Sequence, residues 1–159
     1  MLHQEVRIRA ATTADVETVV EHRRAMFQEM GYRDAAALNS MAAAFRPWLC
    51  RKMRDGEYLA WLALDEQGQV AAGLGLWLMD WPPHMVGPGG PRGNILNVYT
   101  RPEYRRQGMA RSLMLSALEW CRTHSVSAVI LHASKDGRSL YEKLGFHPTN
   151  EMRLELPGI

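Results

Sequence analysis

The chain has 159 residues, 47% hydrophobic and 23% charged, with a formal net charge of +2. That length suits one domain, here 1–159, with a core large enough to need no disulfide or metal staple, and its two cysteines, Cys50 and Cys121, form no C-x-x-C pair. The small charge excess argues against a nucleic-acid binder, and no run is apolar for the roughly 20 residues that a membrane helix needs.

The chain opens MLHQEVRIRA, without the apolar core of a signal peptide, so a cytoplasmic protein is expected. Glu5 to Ala11 alternates apolar and polar residues and predicts a first strand. Thr12 or Thr13 caps a helix, with Asp15 completing a T-x-x-D box. That helix carries Val16, Val19, Val20, Phe27 and Met30 on one side and ends at Gly31. A second helix is predicted from Leu38 to Arg54, followed by a turn at Asp55-Gly56. Tyr58 to Leu64 and Val70 to Met79 flank the polar turn DEQG and read as a hairpin of buried strands.

Trp81 to Gly93 is a Pro/Gly loop, and Asn94 to Thr100 is a strand that Arg101-Pro102 breaks. After Gly108 a helix places Ala110, Leu113, Met114, Ala117, Leu118 and Cys121 on one face. Ala128 to Ala133 is a strand, Arg138 to Leu144 a short helix stopped by Gly145, and Met152 to Leu156 a last strand. The order suggests an α/β domain with a mixed sheet.

The stretch RRQGMA, Arg105 to Ala110, opens the helix after a strand. A helix start leaves about four N–H groups without partners and carries about half a positive charge, which suits a phosphate. Gly108 allows close backbone approach, Ala110 does not block it, and Arg105, Arg106 and Arg111 add charge. The chain has no G-x-x-x-x-G-K-S/T and no G-x-G-x-x-G after a strand, so two common nucleotide loops are excluded. GPGGPRG leads into a strand and offers no helix dipole. The six histidines lack metal-ligand spacing, no G-x-S-x-G presents a serine nucleophile, and Cys121 belongs to the apolar face.

Some thirty residues on comes SLYEKLGF, Ser139 to Phe146. Taken together, Arg105-x-x-Gly108-x-Ala110 and Leu140-Tyr141-Glu142-Lys143-Leu144-Gly145-Phe146 resemble the GNAT superfamily of N-acetyltransferases, whose pyrophosphate loop is Q/R-x-x-G-x-G/A and whose later segment is L-Y-E-x-x-G-F. The order of elements extends the likeness from Val6 to Leu156. It implies a mostly antiparallel twisted sheet with a central, splayed parallel pair, flanked by about four helices. It also implies acetyl-coenzyme A as co-substrate and no metal.

By that likeness the amides and side chains of Arg105, Arg106, Gln107, Gly108, Met109, Ala110 and Arg111 would cradle the pyrophosphate. Asn97 and Val98 would pair with the pantetheine arm, and Tyr141 would be the general acid. A tyrosine hydroxyl, with its pKa of about 10, stays protonated at neutral pH and can donate to a leaving thiolate; by periodicity alone Tyr141 is a packing residue beside Leu140 and Leu144. Ser134 stands where many relatives carry an asparagine that touches the cofactor. The strand Asn94–Thr100 lacks the carboxylate many relatives place there, so the general base is unassigned; Asp80, His84, His132 and ordered water are the candidates.

The acceptor would be an amine on a small molecule or peptide. Trp48, Trp77, Trp81 and Met85 could wall its site, or serve as core or homodimer contacts. The alternative is a non-catalytic module that senses acyl-coenzyme A, for which the absent base is the argument.

Overall fold

The protein is described from a computed structural model covering residues 6–158. Five strands, β1 (Arg7–Ala10), β2 (Tyr58–Leu64), β3 (Val70–Met79), β4 (Arg92–Thr100) and β5 (Val129–Leu131), lie side by side in that order. The first three pairings are antiparallel, and β4–β5 is parallel and ends the described sheet. The helices are α1 (Val16–Glu29), α2 (Ala35–Arg54), α3 (Met109–Thr123) and α4 (Arg138–Lys143). Glu5, the first residue of the expected first strand, lies outside the described residues.

Local chemistry sets the boundaries. The Thr12 hydroxyl accepts from Ala14 N at 3.3 Å, and Asp15 accepts from Thr12 N at 2.8 Å. The expected box therefore forms, but on a single 3-10 turn (Thr13–Asp15) that runs into α1. Arg9 grips the same carboxylate with two 2.8 Å bonds, tying β1 to the helix. Asp34 caps Ala36 and Ala37, so α2 starts three residues before the expected Leu38.

The two faces of the sheet bury separate cores. On one, α3 presents Leu113, Met114, Ala117 and Cys121 to Ala63, Ala72, Leu74, Leu76 and Ile95. On the other, α1 and α2 present Val16, Val19, Val20, Ala42, Phe45 and Leu49 to Tyr58 and Ala60.

β4 begins at Arg92, inside the expected Trp81–Gly93 loop, and β5 is shorter than the expected Ala128–Ala133; the expectation for the tail is overturned. Met152 to Leu156 forms no strand, and Met152, Leu154 and Leu156 are 94%, 81% and 66% exposed. Alternation specifies a strand only where a ladder partner exists. Here β5 is three residues long, its register ends at Ile95↔Leu131, and no strand among the described residues pairs with the tail, which His132 Nε2 meets at Glu151 Oε1, 3.5 Å away.

Candidate active site

The start of α3 is a cradle of unused donors. Gly108 caps the helix at φ +80°, and Arg106 before it has φ +61°. Both lie in the left-handed region, which glycine enters freely and arginine rarely. From Arg106 to Arg111 no backbone N–H donates to an acceptor among the described residues; the ladder resumes with Ser112 N to Gly108 O at 3.0 Å. Met109 is buried and anchors the turn in the core, while Arg106, Gln107 and Arg111 are exposed.

Arg105 differs from its neighbours. Its Nη2 lies 2.6 and 2.7 Å from the two Glu29 carboxylate oxygens, and its Nε donates to Thr100 O at 3.0 Å. The Glu29 pairing raises its pKa and ties the loop to the end of α1; Arg106 and Arg111 are exposed and have no side-chain partner among the described residues.

Beside the cradle the sheet opens. β4 pairs with β5 only from Gly93 to Ile95, leaving Leu96 to Thr100 uncovered on that side. At the same point β4 bulges against β3: Leu96 faces Gly75 and Tyr99 faces Gly73, so Asn97 and Val98 stand opposite Leu74 alone. Asn97 takes φ +55°. Its side chain, 3% exposed, donates from Nδ2 to the Tyr58 hydroxyl and accepts at Oδ1 from Arg23 Nη1, each at 2.8 Å. A parted strand edge with free main-chain groups suits an amide-bearing arm.

Tyr141 lies on α4, 8% exposed, against the α3-side core and edge-on to Phe146 at 6.1 Å. Burial raises its pKa, so the hydroxyl keeps its proton at neutral pH. Gly137 lets the ring close down, since a Cβ there would sit 2.8 Å from Cε2 of Tyr141. Ser134 Oγ accepts from Gly137 N at 3.1 Å, which places Ser134, Gly137 and Tyr141 together.

The residues that sequence reading missed lie on the opposite face of the sheet. Arg23 and His22 come from α1 and Tyr58 from β2. Burial pushes the Tyr58 hydroxyl up and lowers the Arg23 guanidinium. The His22 imidazole is pushed down to about 4, by burial first and by Arg101 second. A signal was available in Gly73-Leu74-Gly75, because glycine inside a buried strand marks a close approach. A Cβ at Gly73 would lie 2.8 Å from His22 Nδ1, and one at Gly75 1.9 Å from the Tyr58 hydroxyl.

The four proposed wall residues do not form one surface. Trp48 and Trp77 meet edge-on at 5.4 Å in the core, Trp81 stacks under Arg92 at 3.8 Å, and Met85 is 94% exposed. Asp80, His84 and His132 are not buried. Among the described residues no group of three His, Cys, Asp or Glu side chains could hold a metal.

The profile of the acetyltransferase (GNAT) family matches residues 16–146. A GCN5-related N-acetyltransferase from Ralstonia eutropha JMP134 superposes with a TM-score of 0.89 at 38% identity, covering 97% of this chain and 100% of that one. A "predicted acetyltransferase with acetyl-CoA" from Clostridium acetobutylicum gives 0.83 at 26%, covering 96% of each. A Bacillus subtilis (strain 168) protein is 26% identical over 110 residues, 64% of this chain. Its name assigns it, provisionally, the N-acetylation of alanine in ribosomal protein bS18. The match spans just under two thirds of that curated relative, 66% of its length.

Proposed function

The chain belongs to the GNAT acetyltransferase family, and on that premise we propose that it transfers the acetyl group of acetyl-coenzyme A to a primary amine on a small molecule or peptide. Six consecutive amides without acceptors, Arg106 to Arg111, support the reading most directly. They fit a diphosphate, and the uncovered edge of β4 from Leu96 to Thr100 fits the arm attached to it. Bound, the co-substrate supplies the thioester carbon that the amine attacks.

The chain's own residues orient and protonate. Arg106 and Arg111 screen the diphosphate charge, and the main chain of Asn97 and Val98 holds the arm. Ser134, beside Gly137 and Tyr141, borders the entrance. Tyr141 donates its hydroxyl proton to the departing thiolate. An amine of pKa about 10 must first lose a proton; with no carboxylate on β4, water carries it away.

The test is an amine-panel assay following thiol release, paired with calorimetry of coenzyme A binding. Tyr141→Phe is expected to lower kcat by about 10²-fold or more, as for loss of a general acid, with coenzyme A affinity little changed. Unchanged kcat across the pH range removes Tyr141 from the acid role. Acetyl-coenzyme A binding without thiol release from any amine favours the sensor reading instead.

A further inference from the structure

Arg23 is a cation without a counter-ion. Two cations of α2 have carboxylate partners, Arg46 with Glu17 and Lys52 with Glu57, and the exposed Arg24 bonds the Asn39 and Gln28 amides. Arg23 Nη1 reaches only the neutral Asn97 amide, its Nε is buried with no acceptor, and no carboxylate among the described residues faces it. The rings of Phe27 and Phe45 flank the guanidinium carbon at 4.9 and 4.8 Å. One amide bond and two ring faces replace only part of the hydration such a group gives up.

Its position has chemical meaning. Asn97, the residue it holds, is the bulge of β4 where the strand leaves β5. Two further buried polar atoms without partners belong to the same strand: Asn94 Oδ1 and Arg92 Nε. Leu96 packs in the α1–α2 core and Ile95 in the α3 core. By the alternation of a strand, Arg92 and Asn94 share the face of Leu96. The α1–α2 side of β4 therefore carries a guanidinium edge, an amide oxygen lacking a donor, and a second guanidinium.

We infer that the acceptor amine also carries an acidic group, carboxylate or phosphate, that docks on Arg23 while Asn94 Oδ1 accepts from the amine nitrogen. The inference rests on the acetyl-transfer reading above and names the substrate class for it. A planar guanidinium held between two rings by Asn97 has its orientation set before the anion arrives, which suits bidentate pairing.

The experiment compares matched amines, an amino acid with its carboxamide and an amino-sugar phosphate with its unphosphorylated form, in wild type, Arg23→Gln and Arg23→Lys. In wild type the acidic member of at least one pair is expected to have a kcat/KM higher by about 30-fold, the worth of a charge-assisted bond. Whichever pair shows it identifies carboxylate or phosphate as the group. In Arg23→Gln that ratio should collapse toward one, chiefly through KM of the acidic member. Arg23→Lys should keep part of it and remains available if Arg23→Gln does not fold.

Equal kcat/KM within both pairs in wild type, or a ratio that survives Arg23→Gln, overturns the inference. If no amine releases thiol, the transfer reading fails by itself. Calorimetry with the same acidic amines on coenzyme A-loaded protein then decides: binding lost in Arg23→Gln upholds the anion site, and binding absent from wild type or retained in the variant rejects it.

Discussion

His22 is a base held where its charged form is disfavoured. It is 6% exposed, set against Tyr99 at 5.2 Å, with Gly73 leaving no slack behind it. With its pKa about 4 in the fold against 6.5 for the free side chain, the unfolded chain binds more protons between those values. Stability is therefore full above about pH 6.5 and falls as pH drops toward 4, by about 3 kcal/mol over the window. Thermal unfolding at pH 7.5 and pH 5.0 checks this: His22→Asn should lose less on acidification than wild type, and an equal loss in both would rule His22 out as the cause. A second buried group, the Asn97 side chain, explains why part of the site escapes a reading along the chain. Its partners lie 39 and 74 residues away, in Tyr58 and Arg23, and nothing local in HRRAMF or NILNVYT marks them as neighbours. The start of α3 can be read along the chain because the chemistry proposed for it is contained in six consecutive residues.

At the scale of elements, β2 and β3 match their sequence reading residue for residue, since turn residues bound two apolar runs on both sides. β5 and the tail do not match. Ala128 to Ala133 yields a strand of three residues, and the alternation of Met152 to Leu156 meets no ladder. Period-two patterning records what a segment could bury; whether it pairs depends on an edge supplied from elsewhere. The β3–β4 seam makes its own prediction. An added methyl in Gly75→Ala would fall 1.9 Å from the Tyr58 hydroxyl, forcing Tyr58 to move and breaking its bond to Asn97. Urea unfolding should show a loss of about 1–3 kcal/mol, typical of overpacking, and KM for the acceptor should rise with it. A variant as stable as wild type would mean that the seam has room to yield.

For the whole molecule, the proposed function makes the start of α3 and the parted edge of β4 two halves of one ligand path, so occupancy should stiffen the fold as a unit. At coenzyme A concentrations about 100-fold above Kd, mass action adds about 2.7 kcal/mol. For a chain of this size that corresponds to about 5–10 °C in Tm. Differential scanning fluorimetry with and without coenzyme A reads this directly. No shift at saturating ligand would deny the path. Among the described residues no helix is long and apolar enough to cross a membrane.

The division of the interior into two cores has an evolutionary consequence. The start of α3 and Tyr141 belong to one side, and Arg23, Phe27 and Phe45 to the other, with a single β-sheet as the partition. Under the proposed transfer, drift or recombination that rewrites α1 and α2 would retune which molecules are modified while the donor half is inherited intact. Chimeras that transplant this helix pair between relatives should accordingly keep their thioester and exchange their diet.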